Sequence, residues 1–363
     1  MLLKKPLLDD IIDNLKHDIL NVIYLTENRN VDINQLIKSA NSSNKKIVGG
    51  IFPGLIDHQG KYDNAAIIQY YGNDSDVILC KRIGEENPGK YLDPDLAFEN
   101  YSALVLVDGL STGISDFLEE LHEKYGNALS FYGGGCGSLT LDIGPCIFSN
   151  DGFFQDAALI VPHKQNVRLG IAHGWKRIAG PFVANKANKN VIEEINWQKA
   201  FDFYADTIKK KTETVINPND FFKYSKGFPF GIFREGYEDV VRDPIKVNAD
   251  GSIVCVGKVP ANATLNILHG KKEYLIESAR DATNKALANV KPESVFVVDC
   301  ISRVLYLEDN FDEELDAIRQ TCQMATSSPL FEGVLSLGEI SSDKEGYIVF
   351  FNKTIVVTAI CEK

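Results

Sequence analysis

ALVLVDGLS, residues 103–111, and VFVVDCIS, residues 295–302, are the two stretches from which the fold can be read. Each is an apolar run of strand length that reaches an aspartate, and each precedes an acidic helical segment, SDFLEELHEKYG (115–126) in one case and DEELDAIRQTC (312–322) in the other. Each helix leads to a strand that stops on glycine, ALSFYGG (128–134) and GVLSLGE (333–339). A hairpin with asparagine at its turn then follows in both, CIFSNDGFFQDAALIV (146–161) and YIVFFNKTIVVTAI (347–360). Four elements in one order indicate a diverged duplication.

The duplication predicts an α+β fold of mixed, largely antiparallel sheets flanked by helices, built as two related halves. The polar stretch IKKKTETVINPN (208–219) ends the helix WQKAFDFYADTI and places the boundary, giving units 1–212 and 213–363. On this alignment Gly133 and Gly338 are counterparts, and a cleft between the halves is the expected ligand site, because pockets favour such interfaces.

With 44% hydrophobic residues in 363, the chain can bury one large core or two ordinary ones. Its 38 Lys and Arg stand against 50 Asp and Glu, a net charge of -12, so it offers no basic stripe for nucleic acid or an anionic membrane. Pro6, Asp9 and Asp10 interrupt the apolar run that a secretory signal would need. Seven cysteines, odd in number and without a CxxC pair, fit reduced thiols. The expectation is a soluble cytoplasmic protein.

The glycine run SFYGGGCGS (130–138) ends the first glycine-stopped strand. It is no P-loop, since no lysine follows Gly137, and no GxGxxG, since Ser138 takes the third glycine's place. Cys136 could be a nucleophile, given a base to form the thiolate, or a small buried thiol where backbones approach closely. Gly109-Leu110-Ser111-Thr112-Gly113 satisfies the GxSxG elbow of hydrolases, while the second copy, Cys300 to Val304, lacks both glycines. A serine at a strand-to-helix turn accounts for both copies without catalysis.

The six histidines show no metal-ligand spacing. His173, in IAHGWK, sits where a strand ends and its ring can face a cleft or be a satisfied strand-end histidine. Arg303 follows the buried strand VFVVDC and needs a carboxylate, either from a ligand or from within, with Glu339 the expected internal partner.

Taken together, GGGCG (133–137), IFSNDGFFQDAALIV (147–161), AHGW (172–175), PFVANKANKNVIEEINWQKAFDFY (181–204), VVRDPIKVNADGSIVCVGKVPANATLNIL (240–268), VVDCISR (297–303), GVLSLGEI (333–340) and FFNKT (350–354) resemble the FIST proteins, named for F-box and intracellular signal transduction. Asn185 departs from the family pattern, where threonine or serine is common, as does Lys189, where glycine often precedes Asn190. The resemblance implies a sensory module, expected to stand alone with no kinase or cyclase region attached. It would bind a small ligand such as an amino acid and signal to a partner such as a histidine kinase. Some family members are haem-containing nitric oxide sensors; in that case haem would be the cofactor and His173 its axial ligand. The candidate ligand-binding set is Gly134, Gly135, Cys136, His173, Arg303 and Glu339, no catalytic residue is assigned, and open sheet edges would accommodate a homodimer.

Overall fold

A computed structural model describes residues 1–72, 77–85, 88–92, 101–325, 331–343 and 346–361. One unit recurs three times. It consists of a buried strand, a helical crossover and a second strand parallel to the first: Leu20–Thr26 with Lys46–Phe52, Tyr101–Asp108 with Leu129–Cys136, and Ser294–Cys300 with Phe331–Ser336. Among the described residues these are the three parallel pairings, and the remainder are antiparallel, as the sequence predicts.

The two copies read from sequence are therefore joined by a third, which precedes both. After its second parallel strand, each copy sends a hairpin into a neighbour's sheet. Gly54–Asp57 and Gly60–Tyr62 extend the third sheet through Phe331–Ser336. Ile147–Ser149 and Gly152–Phe154 extend the first through Lys46–Phe52, and Glu339–Ser342 and Ile348–Phe351 extend the second through Leu129–Cys136. The chain then returns to its own sheet as Ala65–Tyr71, Ala157–His163 or Ile355–Cys361, antiparallel to the copy's first strand. An edge strand, Leu2–Lys4, Ile78–Lys81 or Asn166–Ala172, completes each six-stranded sheet.

Cyclic exchange corrects two expectations. YIVFFNKTIVVTAI forms no hairpin at Asn352, because Ile348–Phe351 and Ile355–Cys361 lie in different sheets. Only the turn at Asn150 and Asp151 closes one, pairing Ser149 with Gly152. Nor is Gly338 the counterpart of Gly133. Register pairs Gly49 with Ile23, Gly133 with Val105 and Gly333 with Val297, so Gly133 matches Gly49 and Gly333. In all three, an added Cβ would crowd the partner strand's carbonyl group.

The strands read as continuous apolar runs because both faces are covered. Tyr24, Leu106, Phe296 and Val298 turn inward, where the three sheets share one core. Val105 and Val107 face the other way, against Phe117, Leu118 and Leu121 of the helix Ile114–Tyr125. Val295 and Val297 likewise meet Leu275, Ala279, Leu315 and Ile318. Successive side chains alternate between faces, which produces a third correction. Asp108 lies three residues beyond Val105, and the residue three beyond Val297 is Cys300, so Asp108 matches Cys300 while Asp299 points to the opposite, helix-covered face.

Between Ala172 and Ser294 the third copy carries a large insertion. It holds a four-stranded antiparallel sheet, a second small sheet around Val191–Ile195, and the helices Ala200–Thr212, Phe221–Ser225 and Lys272–Leu287.

Candidate functional site

Parallel strands leave crevices beyond their carboxyl ends, where ligands commonly bind. Here a cavity of about 290 Å³ opens beyond the first and second copies. Its walls are Glu27, Asn28 and Arg29 after the strand Leu20–Thr26, Asp108 and Leu110 at the end of Tyr101–Asp108, Ile51 of the strand Lys46–Phe52, and Cys146 and Phe153 of the exchanged hairpin segment. A segment that follows the glycine run forms the rest, through Gly137, Ser138, Thr140, Asp142, Gly144 and Pro145.

Asp108 is buried at the base. Its Oδ1 accepts from the Leu110 amide (3.1 Å) and its Oδ2 from the Asp156 amide (2.7 Å). Burial pushes its carboxyl above the ordinary value, opposed by those two amides and by the Cys146 thiol. Burial also raises the thiols of Cys136 and Cys146, so neither is poised as a thiolate. Burial lowers the Arg29 guanidinium, which Asp32 counteracts. Glu27 anchors the roof: its Oε2 accepts from the Leu139 amide at 2.9 Å.

A second cavity, of about 220 Å³, repeats the arrangement one copy further on. Gly109, Leu110 and Ser111 stand in the places of Glu27, Asn28 and Arg29, and Phe350 in that of Phe153, while Lys189 and Lys258 of the insertion close it.

The six residues singled out from sequence fall into two groups. Gly134, Gly135 and Cys136 belong to the strand Leu129–Cys136, and Gly137, which follows them, lines the first cavity. Gly135 exchanges backbone bonds with Gly338 (2.8 Å) and Leu337 (2.9 Å), a close approach that side chains would prevent. Cys136 is fully buried, its sulfur against Gly50. Glu339 pairs with Gly134 across the exchanged strand and accepts from Ser336 Oγ (2.8 Å) and the Thr354 amide (3.1 Å). Burial pushes its carboxyl up to about 8.

Arg303 and His173 form the other group, under the insertion. Arg303 does not bond to Glu339. Its Nε and Nη2 reach the two oxygens of Glu314 at 3.0 and 2.7 Å, and its Nε lies 3.2 Å from Asp299. Its Nη1 donates to the His173 carbonyl at 2.8 Å. The guanidinium is thus fully occupied from within, because helix Phe311–Ala325 brings Glu314 over the strand end. His173 Nδ1 accepts from the Trp175 amide at 2.9 Å, and Nε2 is buried 3.8 Å from Glu238. Burial lowers its pKa against Glu238, with Arg303, Asp239 and Lys176 also felt. An axial haem ligand needs an accessible nitrogen in an apolar pocket. His173 has charged neighbours and a buried Nε2, so it does not fit that role.

Neither nucleophile is assembled. Ser111 Oγ donates to Asp156 at 2.6 Å and accepts from the Gly113 amide, with no histidine among its partners. Burial, with Cys146 and Asp108 adding to it, holds Cys136 as a thiol.

A FIST N domain model matches residues 20–198, and a FIST C domain model matches residues 200–342. The chain belongs to the FIST family. No curated protein matches it. FIST domains are associated with sensing in signal transduction. The two FIST portions are interleaved, since Gly54–Tyr62 of FIST N lies in a FIST C sheet and Glu339–Ser342 of FIST C lies in a FIST N sheet. Lys189, where the family often has glycine, adopts φ 52°, the left-handed region that glycine enters most easily. Asn185 holds the turn at Trp197, accepting from its amide at 2.8 Å and donating to Glu194 at 2.7 Å. No helix among the described residues is long and apolar enough to cross a membrane.

Sequence reading passed over Arg29, Glu27, Asp142 and Cys146. Arg29 carried the same signal that drew attention to Arg303, an arginine just beyond a buried strand.

Proposed function

We propose that this FIST protein senses a small ligand in the cavity between its first and second copies and reports occupancy to a signalling partner such as a histidine kinase. The supporting observation is the alternation in the roof. Ser138, Thr140, Asp142 and Gly144 line the cavity, whereas Leu139, Leu141 and Ile143 are exposed to solvent at 43%, 48% and 75%. A ligand that favours one arrangement of this segment would change the apolar surface offered outside, and differential affinity for two states is all that a sensor requires.

The polar walls suit a hydrophilic ligand, an amino acid being the class implied by the family. Units 1–212 and 213–363 act as one body in this reading, because each lends strands to the other. The cysteines all stand as thiols, six of them buried, which supports a reducing, cytoplasmic setting.

Thermal melting against the twenty amino acids tests the proposal, since a ligand at 100 times its dissociation constant adds about 2.7 kcal/mol. Hydrogen exchange should slow across 137–145 in the presence of the ligand. No shift with any amino acid, or a shift that leaves 137–145 unprotected, would overturn this reading.

A further inference from the structure

We propose that Arg29 is the carboxylate anchor of the cavity, and that Glu27, Asp108 and Asp142 receive the cationic end of the same ligand. This rests on the cavity being the sensing site. The starting point is how four other arginines are partnered. Glu314 clasps Arg303, Asp239 takes two bonds from Arg177, Asp343 takes Arg234, and Arg242 spends its donors on carbonyl groups.

Arg29 differs from all of them. Its Nη1 donates to the Glu27 carbonyl at 3.2 Å, and its Nε is buried without a hydrogen-bond partner among the described residues. No carboxylate holds this guanidinium by an ion pair or hydrogen bond among the described residues, it lines the cavity, and its fork matches a carboxylate in two-point geometry. The nearby acids are engaged elsewhere. Asp32 caps the helix Ile33–Ser42 by accepting from the Gln35 amide, Glu27 holds Leu139, and Asp142 accepts from Thr140.

Charge then limits what can enter. One arginine faces Glu27, Asp108 and Asp142 around the same cavity, so a plain anion would meet more repulsion than attraction. A zwitterion places its negative end on Arg29 and its positive end on the acidic wall. Simple dicarboxylates and inorganic phosphate are disfavoured by the same arrangement.

The test is calorimetric titration of the full chain with each of the twenty amino acids, with the carboxamide of any that binds, and with succinate and inorganic phosphate. The expected result is binding of an amino acid, loss of binding for its carboxamide, and none for succinate or phosphate. Arg29→Gln should weaken the amino acid by about 10- to 100-fold, the loss of a charged hydrogen-bonded pair, and Arg29→Lys by less. The melting temperature of unliganded Arg29→Gln verifies the fold. Equal binding of the carboxamide, or undiminished binding by Arg29→Gln, refutes the anchor while leaving the sensor reading intact. Absence of all binding by the wild-type chain refutes both.

Discussion

Substituting alanine at Gly133 tests the threefold register directly. At this position φ is 148°, outside the range that side chains adopt readily, and an added Cβ would lie 2.8 Å from the Val105 carbonyl carbon and closer to its oxygen. Ordinary contact begins at 3.4 Å, so the pair Tyr101–Asp108 and Leu129–Cys136 must open by at least 3.4 − 2.8 = 0.6 Å in the middle of a sheet buried on both faces. Overpacking of this kind costs about 1–3 kcal/mol, and the backbone strain adds about 1 kcal/mol or more. Gly333→Ala and Gly49→Ala should also destabilise, because their added Cβ atoms would lie 3.0 Å from the Val297 carbonyl carbon and 2.9 Å from that of Ile23. Gly144→Ala serves as the control, with nothing within 4 Å. Urea denaturation followed by far-ultraviolet circular dichroism gives the four values. A Gly333→Ala or Gly49→Ala protein as stable as Gly144→Ala would refute the threefold correspondence.

Glu314→Ala leaves Arg303 buried without its two-point partner and should cost about 3–5 kcal/mol in the same assay, with Asp299 offsetting only part. Glu339, pushed up to about 8 by burial, keeps in the folded state a proton that the unfolded chain releases near its ordinary value, so stability falls as pH rises from about 5 to 8. Glu339→Gln should flatten that fall in a pH series of urea midpoints. His163 runs the opposite way: burial lowers it to about 4, the unfolded chain binds the proton first, and stability is lost as pH drops from 6.5 toward 4. His163→Gln should shift the acid midpoint downward, and an unchanged midpoint would count against the buried neutral imidazole that bonds to Tyr132 at 2.9 Å. Thiol titration of the native protein should register Cys361 quickly and the six buried cysteines only after denaturation, whereas fast labelling of Cys136 would revive it as a nucleophile.

The copies could be found in the sequence because strands buried on both faces are written as unbroken apolar runs, and ALVLVD and VFVVDC are such runs. The first copy hid because its strand, LNVIYLT, reaches threonine and glutamate instead of aspartate, so the shared aspartate drew the eye elsewhere. That same aspartate misaligned the pair by one residue. In a strand one residue is a change of face, and Asp108 and Asp299 consequently serve a cavity and a buried arginine respectively. Arg303 was legible as a charge needing a partner, but Glu339 and Glu314 were equally available on paper.

From sequence alone came the mixed sheets, the repeating unit, the thiols and the family, since each follows from composition, local period or motif. Tertiary structure decided which strand each hairpin joins, because exchange between copies depends on register over hundreds of residues and leaves no local trace. It also decided where a ligand could sit. Arg29, Asp108 and Cys146 come from separate strand ends, and only the three-sheet closure brings their side chains around one cavity.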